Sequence, residues 1–355
     1  MTDLFHRLFG AGSPGLRRRT IGIYAFLAAW NVGAWAWAFA VFRHQPLLLG
    51  TALIAYGLGL RHAVDPDHIA AIDNVTRKLL QRHERPVAVG FWFAVGHSAV
   101  VLLVAAAIAA TSSALQGRFE AFKDVGGVIS TSVSATFLFV IAAINLVVLA
   151  SIYRAFRNVR RGGPYVDEDF NTLLNSRGLL TRLFRPMFRL ITKSWHMLPL
   201  GFLFGLGFDT ATEVSLLGIS AAEAAKGTSF AIILVFPILF AAGMSLVDTT
   251  DGVLMLHAYN WAFVKPIRKL YYNLTITFVS VVVAVAIGGI EALGLIGDKL
   301  RLAGWFWDGI AGLNDNFNTL GFVIIGVFVV SWMLSVAIYY ARGWDRTEMT
   351  PVRDS

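Results

Sequence analysis

The sequence predicts an all-α, polytopic membrane protein with eight transmembrane helices, and three observations predict it. Of 355 residues, 56% are hydrophobic and only 15% charged, with a mean hydropathy of +0.64. A water-soluble domain of that size has too little interior to hide so much apolar surface. Eight apolar runs are each long enough to cross a bilayer at about 1.5 Å of rise per residue. Finally, the connections between the runs alternate between rich and poor in Lys and Arg, as the positive-inside rule requires.

The runs fall at 21–42, 47–72, 87–110, 130–152, 198–222, 230–256, 274–296 and 320–340. Pro46 and the Gly162-Gly163-Pro164 string lie between them, where chain breakers belong. The first run follows Arg17-Arg18-Arg19, is too long for the apolar core of a signal peptide, and has no cleavage pattern after it. It therefore reads as a first span behind a cytoplasmic tail. With that tail inside, the segments on its side hold 23 of the 30 Lys and Arg residues. The opposite loops hold six, and Arg61 lies within the second run. Both termini are thus expected in the cytoplasm, with the chain in the cytoplasmic (inner) membrane as a single transmembrane domain over 1–355.

The longest cytoplasmic connection, 154–197, is basic and carries an apolar stripe that includes Leu173, Leu180, Phe184 and Phe188. Two readings stand for it: an amphipathic helix on anionic lipid, or a solvated linker. The net charge of +8 lies in loops and tails such as these, so nucleic acid is not expected as a partner. With no cysteine, the chain forms no disulfide and offers no thiolate to a metal.

The chemistry concentrates in the second run, where Arg61, His62, Asp65, Asp67, His68, Asp73 and Asn74 follow an unbroken apolar stretch. A charge at the bilayer centre costs roughly 2.5–3.5 kcal/mol on insertion scales, so such a group needs a reason. One reason is a helix end whose charges have simply reached water. The other is a metal site. On a continuous helix His62, Asp65 and Asp73 fall within about 80° of one another, His68 lies at the edge of that face, and Asp67 points away. Pro66 lacks an N–H and clashes with the His62 carbonyl, so a kink that frees this oxygen is expected here. Imidazole suits nickel, cobalt and zinc, and the Asp65 carboxylate adds a harder donor. Asp67 and Asp73 have a simpler alternative, pairing with Arg61, Arg77 or Lys78.

Three further spans are polar. The third carries Phe93-Ala94-Val95-Gly96-His97-Ser98, in which Gly96 lets a neighbouring helix approach His97. His97 is a ligand candidate or a packing histidine. The fifth carries Asp209 and Glu213 on one helix face, and the sixth carries Phe240-Ala241-Ala242-Gly243-Met244-Ser245 followed by Asp248 and Asp251. These four carboxylates can orient histidines, carry protons or bond between helices. Asn145 of the fourth span reads as interhelical glue. The two Phe-Ala-x-Gly-x-Ser strings are alike; Gly59 precedes Gly96 by 37 positions and Gly205 precedes Gly243 by 38. Spans two and five run in opposite directions, so spans two–three and five–six form an inverted repeat around a midplane site.

The strings resemble those of a known family. Arg61-His62-Ala63-Val64-Asp65-Pro66-Asp67-His68-Ile69 resembles the signature of the nickel/cobalt transporter permeases, with Pro66 where that family carries Ala. The Gly-His-Ser at 96–98, Leu-Gly-Phe-Asp-Thr-Ala-Thr-Glu at 206–213 and the Asp-containing string at 243–252 resemble its other motifs, in the same order, over about two-thirds of the chain. The resemblance implies a secondary transporter, not an enzyme, that takes up divalent nickel or cobalt. The expected ligands are His62, Asp65, His68 and His97, supported by Asp67, Asp73, Asn74, Asp209, Glu213, Asp248 and Asp251. The bound ion is cargo, and no cofactor is expected. The expected partners are the ion and the lipid bilayer.

Other functions are weighed against this one. No Walker string appears, so no nucleotide is expected. A membrane metalloenzyme would need more histidines at depth, or a His-Glu-x-x-His string, and the chain has neither. An efflux permease uses the same ligands in the other direction. A sensor would need a signalling domain, for which no segment is long enough.

Overall fold

Helices account for nearly all of the architecture in the computed structural model, which describes residues 14–82, 84–110, 116–160, 191–206, 211–262 and 266–341. In chain order they are α1 (Pro14–Phe42), α2 (Pro46–His62), α3 (Pro66–Gln81), α4 (Val89–Ala110), α5 (Gln116–Arg160) and α6 (Met197–Phe204). There follow α7 (Ala211–Ala225), α8 (Phe230–Ile233), α9 (Val235–Ala262), α10 (Pro266–Leu300), α11 (Trp305–Asp315) and α12 (Phe317–Ala341). The sequence reading of 154–197 falls largely on 161–190, outside the described residues.

Five stretches are long and apolar enough to cross a membrane: Gly15–Phe42, Val89–Ala110, Gly127–Asn158, Phe230–His257 and Leu274–Leu300. Two bent pairs raise the number to seven, α2 with α3 at 53° and α11 with α12 at 80°. The run expected at 198–222 is met as two short helices, α6 and α7, on either side of residues 207–210, which lie outside the described set. Length and composition therefore support five to seven spans and leave the expected eight unfixed.

The second span is broken rather than kinked. Pro46 and Pro66 each stand in the first turn of their helices, where proline's missing N–H costs nothing. Between α2 and α3 the chain turns through Ala63, Val64 and Asp65, with Ala63 N–H donating to Gly59 O and Val64 N–H to Arg61 O. The His62 carbonyl, expected to be freed by Pro66, accepts from Asp65 N–H at 3.0 Å. A face counted on one continuous helix does not survive this break, so the 80° grouping of His62, Asp65 and Asp73 lapses.

Two apolar clusters meet at that span. Ala52 and Ala55 of α2 pack with Ala94 and Val101 of α4, Leu216 of α7 and Phe236, Leu239 and Phe240 of α9. Ile69 and Ala70 of α3 pack instead with Leu138 of α5, Ala284 and Ile287 of α10, and Ile324 of α12. The break is therefore where one helix group hands the chain to the other.

Glycine-mediated contacts reveal the repeat. A side chain at Gly59 of α2 would run into the Phe240 carbonyl of α9, and one at Gly201 of α6 into the Phe93 carbonyl of α4. Reciprocally, Gly243 of α9 lies on Tyr56 and Leu60 of α2, and Gly96 of α4 on Leu198 and Phe202 of α6. Residues 56, 59 and 60 thus correspond to 198, 201 and 202, a shift of 142, and 93 and 96 to 240 and 243, a shift of 147. The contacts interchange between units as a two-fold relation demands. They also correct the spacing argument, because Gly59 matches Gly201 and not Gly205.

At the far end, α11 carries Trp305, Phe306 and Trp307 and buries no residue. It is held to α10 by Asn314 over Gly294 and Trp307 over Gly297. Aromatic, polar-faced and steeply bent from α12, it has the features of a helix lying at a membrane interface.

Candidate metal centre

His62 ends α2, His68 opens α3, and His97 lies midway along α4. The break in the second span lets two residues only six positions apart face a common point. The three ring centroids form a near-equilateral triangle with sides of 4.9, 4.8 and 4.7 Å. One ligand nitrogen from each can be chosen so that all lie within 4.8 Å of one another. Exposure is 1% for His62 and His68 and 3% for His97, so no bulk water competes for them.

Glu213, in the first turn of α7 and 1% exposed, closes the ring. Its Oε1 lies 2.9 Å from His97 Nε2 and 3.8 Å from His62 Nε2. His62 Nε2 and His97 Nε2 are themselves 2.9 Å apart, so without a cation one of them must carry a proton. In a tetrahedral site with bonds of about 2.0–2.1 Å, ligand atoms stand roughly 3.3 Å apart. The spacings here bracket that value.

The Nδ1 atoms of His62 and His68 each have a keeper. Thr212 Oγ lies 3.0 Å from His62 Nδ1. The Asp248 carboxylate lies 3.3–3.4 Å from His68 Nδ1. Two phenyl rings wall the centre, Phe93 edge-on to His68 at 4.8 Å and Phe240 against His62 at 5.4 Å. These are the leading residues of the two Phe-Ala-x-Gly-x-Ser strings, one from each repeat.

The remaining sequence candidates fall around this ring. Asp65 is 2% exposed at the break itself, three residues from each of His62 and His68. Asp67 accepts from the His68 N–H at 2.7 Å. Asp73 is fully buried and accepts from the Tyr259 and Ser280 hydroxyls, one on each oxygen. Asn74 donates to Ala70 O and accepts from Arg77 and from Asn145, the interhelical bond expected of that residue. Arg61 is exposed. Asp251 lines a cleft behind α9, and Asp209 lies outside the described residues.

Tyr259, Ser280 and the walling role of Phe93 and Phe240 were missed from sequence. The repeated Phe-Ala-x-Gly-x-Ser was the available signal for the two phenylalanines. Nothing local marks Ser280, whose partner is 207 positions away.

Comparison with known proteins gives a consistent result. The family described as high-affinity nickel-transport protein matches residues 48–338. A high-affinity nickel transport protein of Cupriavidus necator is 60% identical over 343 residues, 97% of each chain. The nickel transporter NicT of Mycobacterium tuberculosis is 47% identical, covering 86% of this chain and 82% of its own. The cobalt transport protein NhlF of Rhodococcus rhodochrous is 42% identical, covering 80% of this chain and 81% of its own. No solved structure matches.

Proposed function

The chain belongs to the high-affinity nickel-transport protein family, and from that premise we propose that it carries divalent nickel or cobalt through the three-histidine centre. The observation that carries this reading is the convergence of three buried imidazoles from three helices on one point. Histidine nitrogen with a carboxylate oxygen, and no thiolate, is a donor set that suits both ions.

His62 and His97 face the cation through Nε2. His62 Nδ1 then carries the proton and donates to the Thr212 oxygen, while His68 Nδ1 donates to Asp248 and leaves its own Nε2 for the ion. Such outer partners fix the tautomer and the ring angle. Glu213 supplies negative charge at the ring, and its place in the first turn of α7 suits an acidic group. Asp65 is a second carboxylate donor, borne on the same turn as His62 and His68. Asp73, Asn74 and Asp67 hold α3 in place through their bonds to Tyr259, Ser280, Asn145 and the α3 backbone.

The protein is a multi-pass membrane protein. The distribution of Lys and Arg supports placement in the cytoplasmic membrane with both termini inside. With inward movement, a divalent cation gains about 4.6 kcal/mol per 100 mV of membrane potential, so the potential alone can drive uptake.

The test is uptake of radioactive nickel and cobalt into proteoliposomes under an imposed potential, with zinc and manganese as competitors. Saturable uptake of nickel or cobalt that the potential accelerates is expected. Uptake no faster than in protein-free vesicles would overturn the proposal.

A further inference from the structure

Away from the metal centre, α9, α10 and α12 leave a cleft of about 460 Å³ between them. That volume lies within the usual range of small-molecule sites, about 300–1,000 Å³. Its walls are mainly apolar, with Leu254 and Met255 from α9, Ile276 and Val279 from α10, and Ile325 and Phe328 from α12. All three helices belong to membrane-crossing segments, so lipid chains rather than water are the surrounding solvent.

Thr250, Asp251, His257, Tyr259 and Ser331 interrupt the apolar lining, and Asp251 is the one that can carry a negative charge opposite an amine. Among the described residues Asp251 is the only acidic one lining the cleft, and its buried Oδ2 accepts no hydrogen bond from any of them. A buried carboxylate oxygen without a donor costs on the order of 1–3 kcal/mol, more when charged. A hydrocarbon chain in the cleft would leave that cost standing. A bare divalent ion is no better served, since among the described residues only His62, His68 and His97 bring three ligand side chains close enough together to hold one. An apolar body that ends in an N–H donor with a positive charge satisfies both features.

We propose that this cleft is a binding site for lipophilic amines, an alkyl or aromatic body with a protonated amino head that pairs with Asp251. The amine reaches it laterally from the bilayer. Asp251 lies one helical turn from Asp248, which holds His68. An occupant therefore stands directly behind the helix that orients a ligand of the metal centre. Amine binding does not depend on which ion the centre carries or in which direction.

The experiment uses the full chain in lipid nanodiscs, with dodecylamine as probe and dodecanol as its uncharged counterpart. Dodecylamine should bind saturably, at least about tenfold tighter than dodecanol, the worth of one charge-assisted hydrogen bond. Asp251→Asn should erase that preference. Val329→Trp, or Ile276→Trp from the opposite wall, should fill the cleft and abolish binding while nickel binding shows the fold intact. Equal affinity for amine and alcohol in the unaltered protein would overturn the proposal. So would undiminished amine binding in either tryptophan variant that still binds nickel, or a dimer whose interface covers the cleft.

Discussion

His62 and His68 each have two nitrogens and two tasks, one toward the cation and one toward a neighbour that sets the tautomer. Removing the cation-facing group should be all-or-none: His62→Ala, His68→Ala and His97→Ala should each abolish nickel uptake while the protein still reaches the membrane. Removing the neighbour should be graded. Thr212→Val should weaken nickel binding about 10–100-fold, as loss of an orienting partner does elsewhere, and calorimetric titration in nanodiscs would measure it. Protons compete for the same lone pairs. A protonated imidazole binds no metal, so affinity should fall once the pH is low enough to protonate the centre. Nickel affinity that is unchanged in acid strong enough to protonate every histidine of a still-folded protein would count against imidazole ligands. Only part of this was legible in the residues. The three histidines stood out because they sit at membrane depth, whereas Glu213 drew attention as a supporting carboxylate and emerges 2.9 Å from His97 Nε2. The distance between α7 and α4 is a tertiary fact that no local string encodes.

The break between α2 and α3 brings residues 62 and 68 onto one point, and proline explains less of it than expected. Pro66 begins α3 and has no hydrogen bond to lose there, so the turn at 63–65 is sustained by its own backbone bonds. Pro66→Ala, which installs the residue of the transporter signature, should therefore leave nickel uptake within about twofold of the unaltered protein, since Pro and Ala both suit a first helical turn. Glycine is the stricter requirement. At Gly59 and Gly201 an added side chain meets backbone of the facing helix, which cannot step aside as a flexible side chain would. Gly59→Leu and Gly201→Leu should each push a helix pair apart and lose metal binding, read by nickel titration of purified protein. The existence of a repeat was legible because its six-residue string recurs. Its register was not. Gly201 and Gly205 are both glycines near Phe204, and only the packing of α4 on α6 shows which of them corresponds to Gly59.

Orientation in the bilayer is a property of the entire chain, because it is set by the balance of all the loops at once. Reporter fusions at Leu80, Phe170 and Lys265 should give cytoplasmic signals, and fusions at Gln116, Lys226 and Ile310 external ones. A cytoplasmic signal at Gln116 would remove the inverted arrangement of the two repeats. The α-helical membrane class was plain from hydropathy, which depends on composition alone. The number of spans was not, since the broken pair α2–α3 and the steeply bent pair α11–α12 are as apolar as a straight span. The interlocked contacts of the repeats also bear on biogenesis. α2 packs on α9 and α4 packs on α6, so the close glycine contacts of each unit are completed by the other. A nascent chain that has emerged only as far as Arg160 would hold Gly59 and Gly96 as bare grooves, stable only until their partners are inserted. The first unit must wait in the membrane for the second, and during that interval it is the natural substrate of an insertase that shelters it or a protease that removes it.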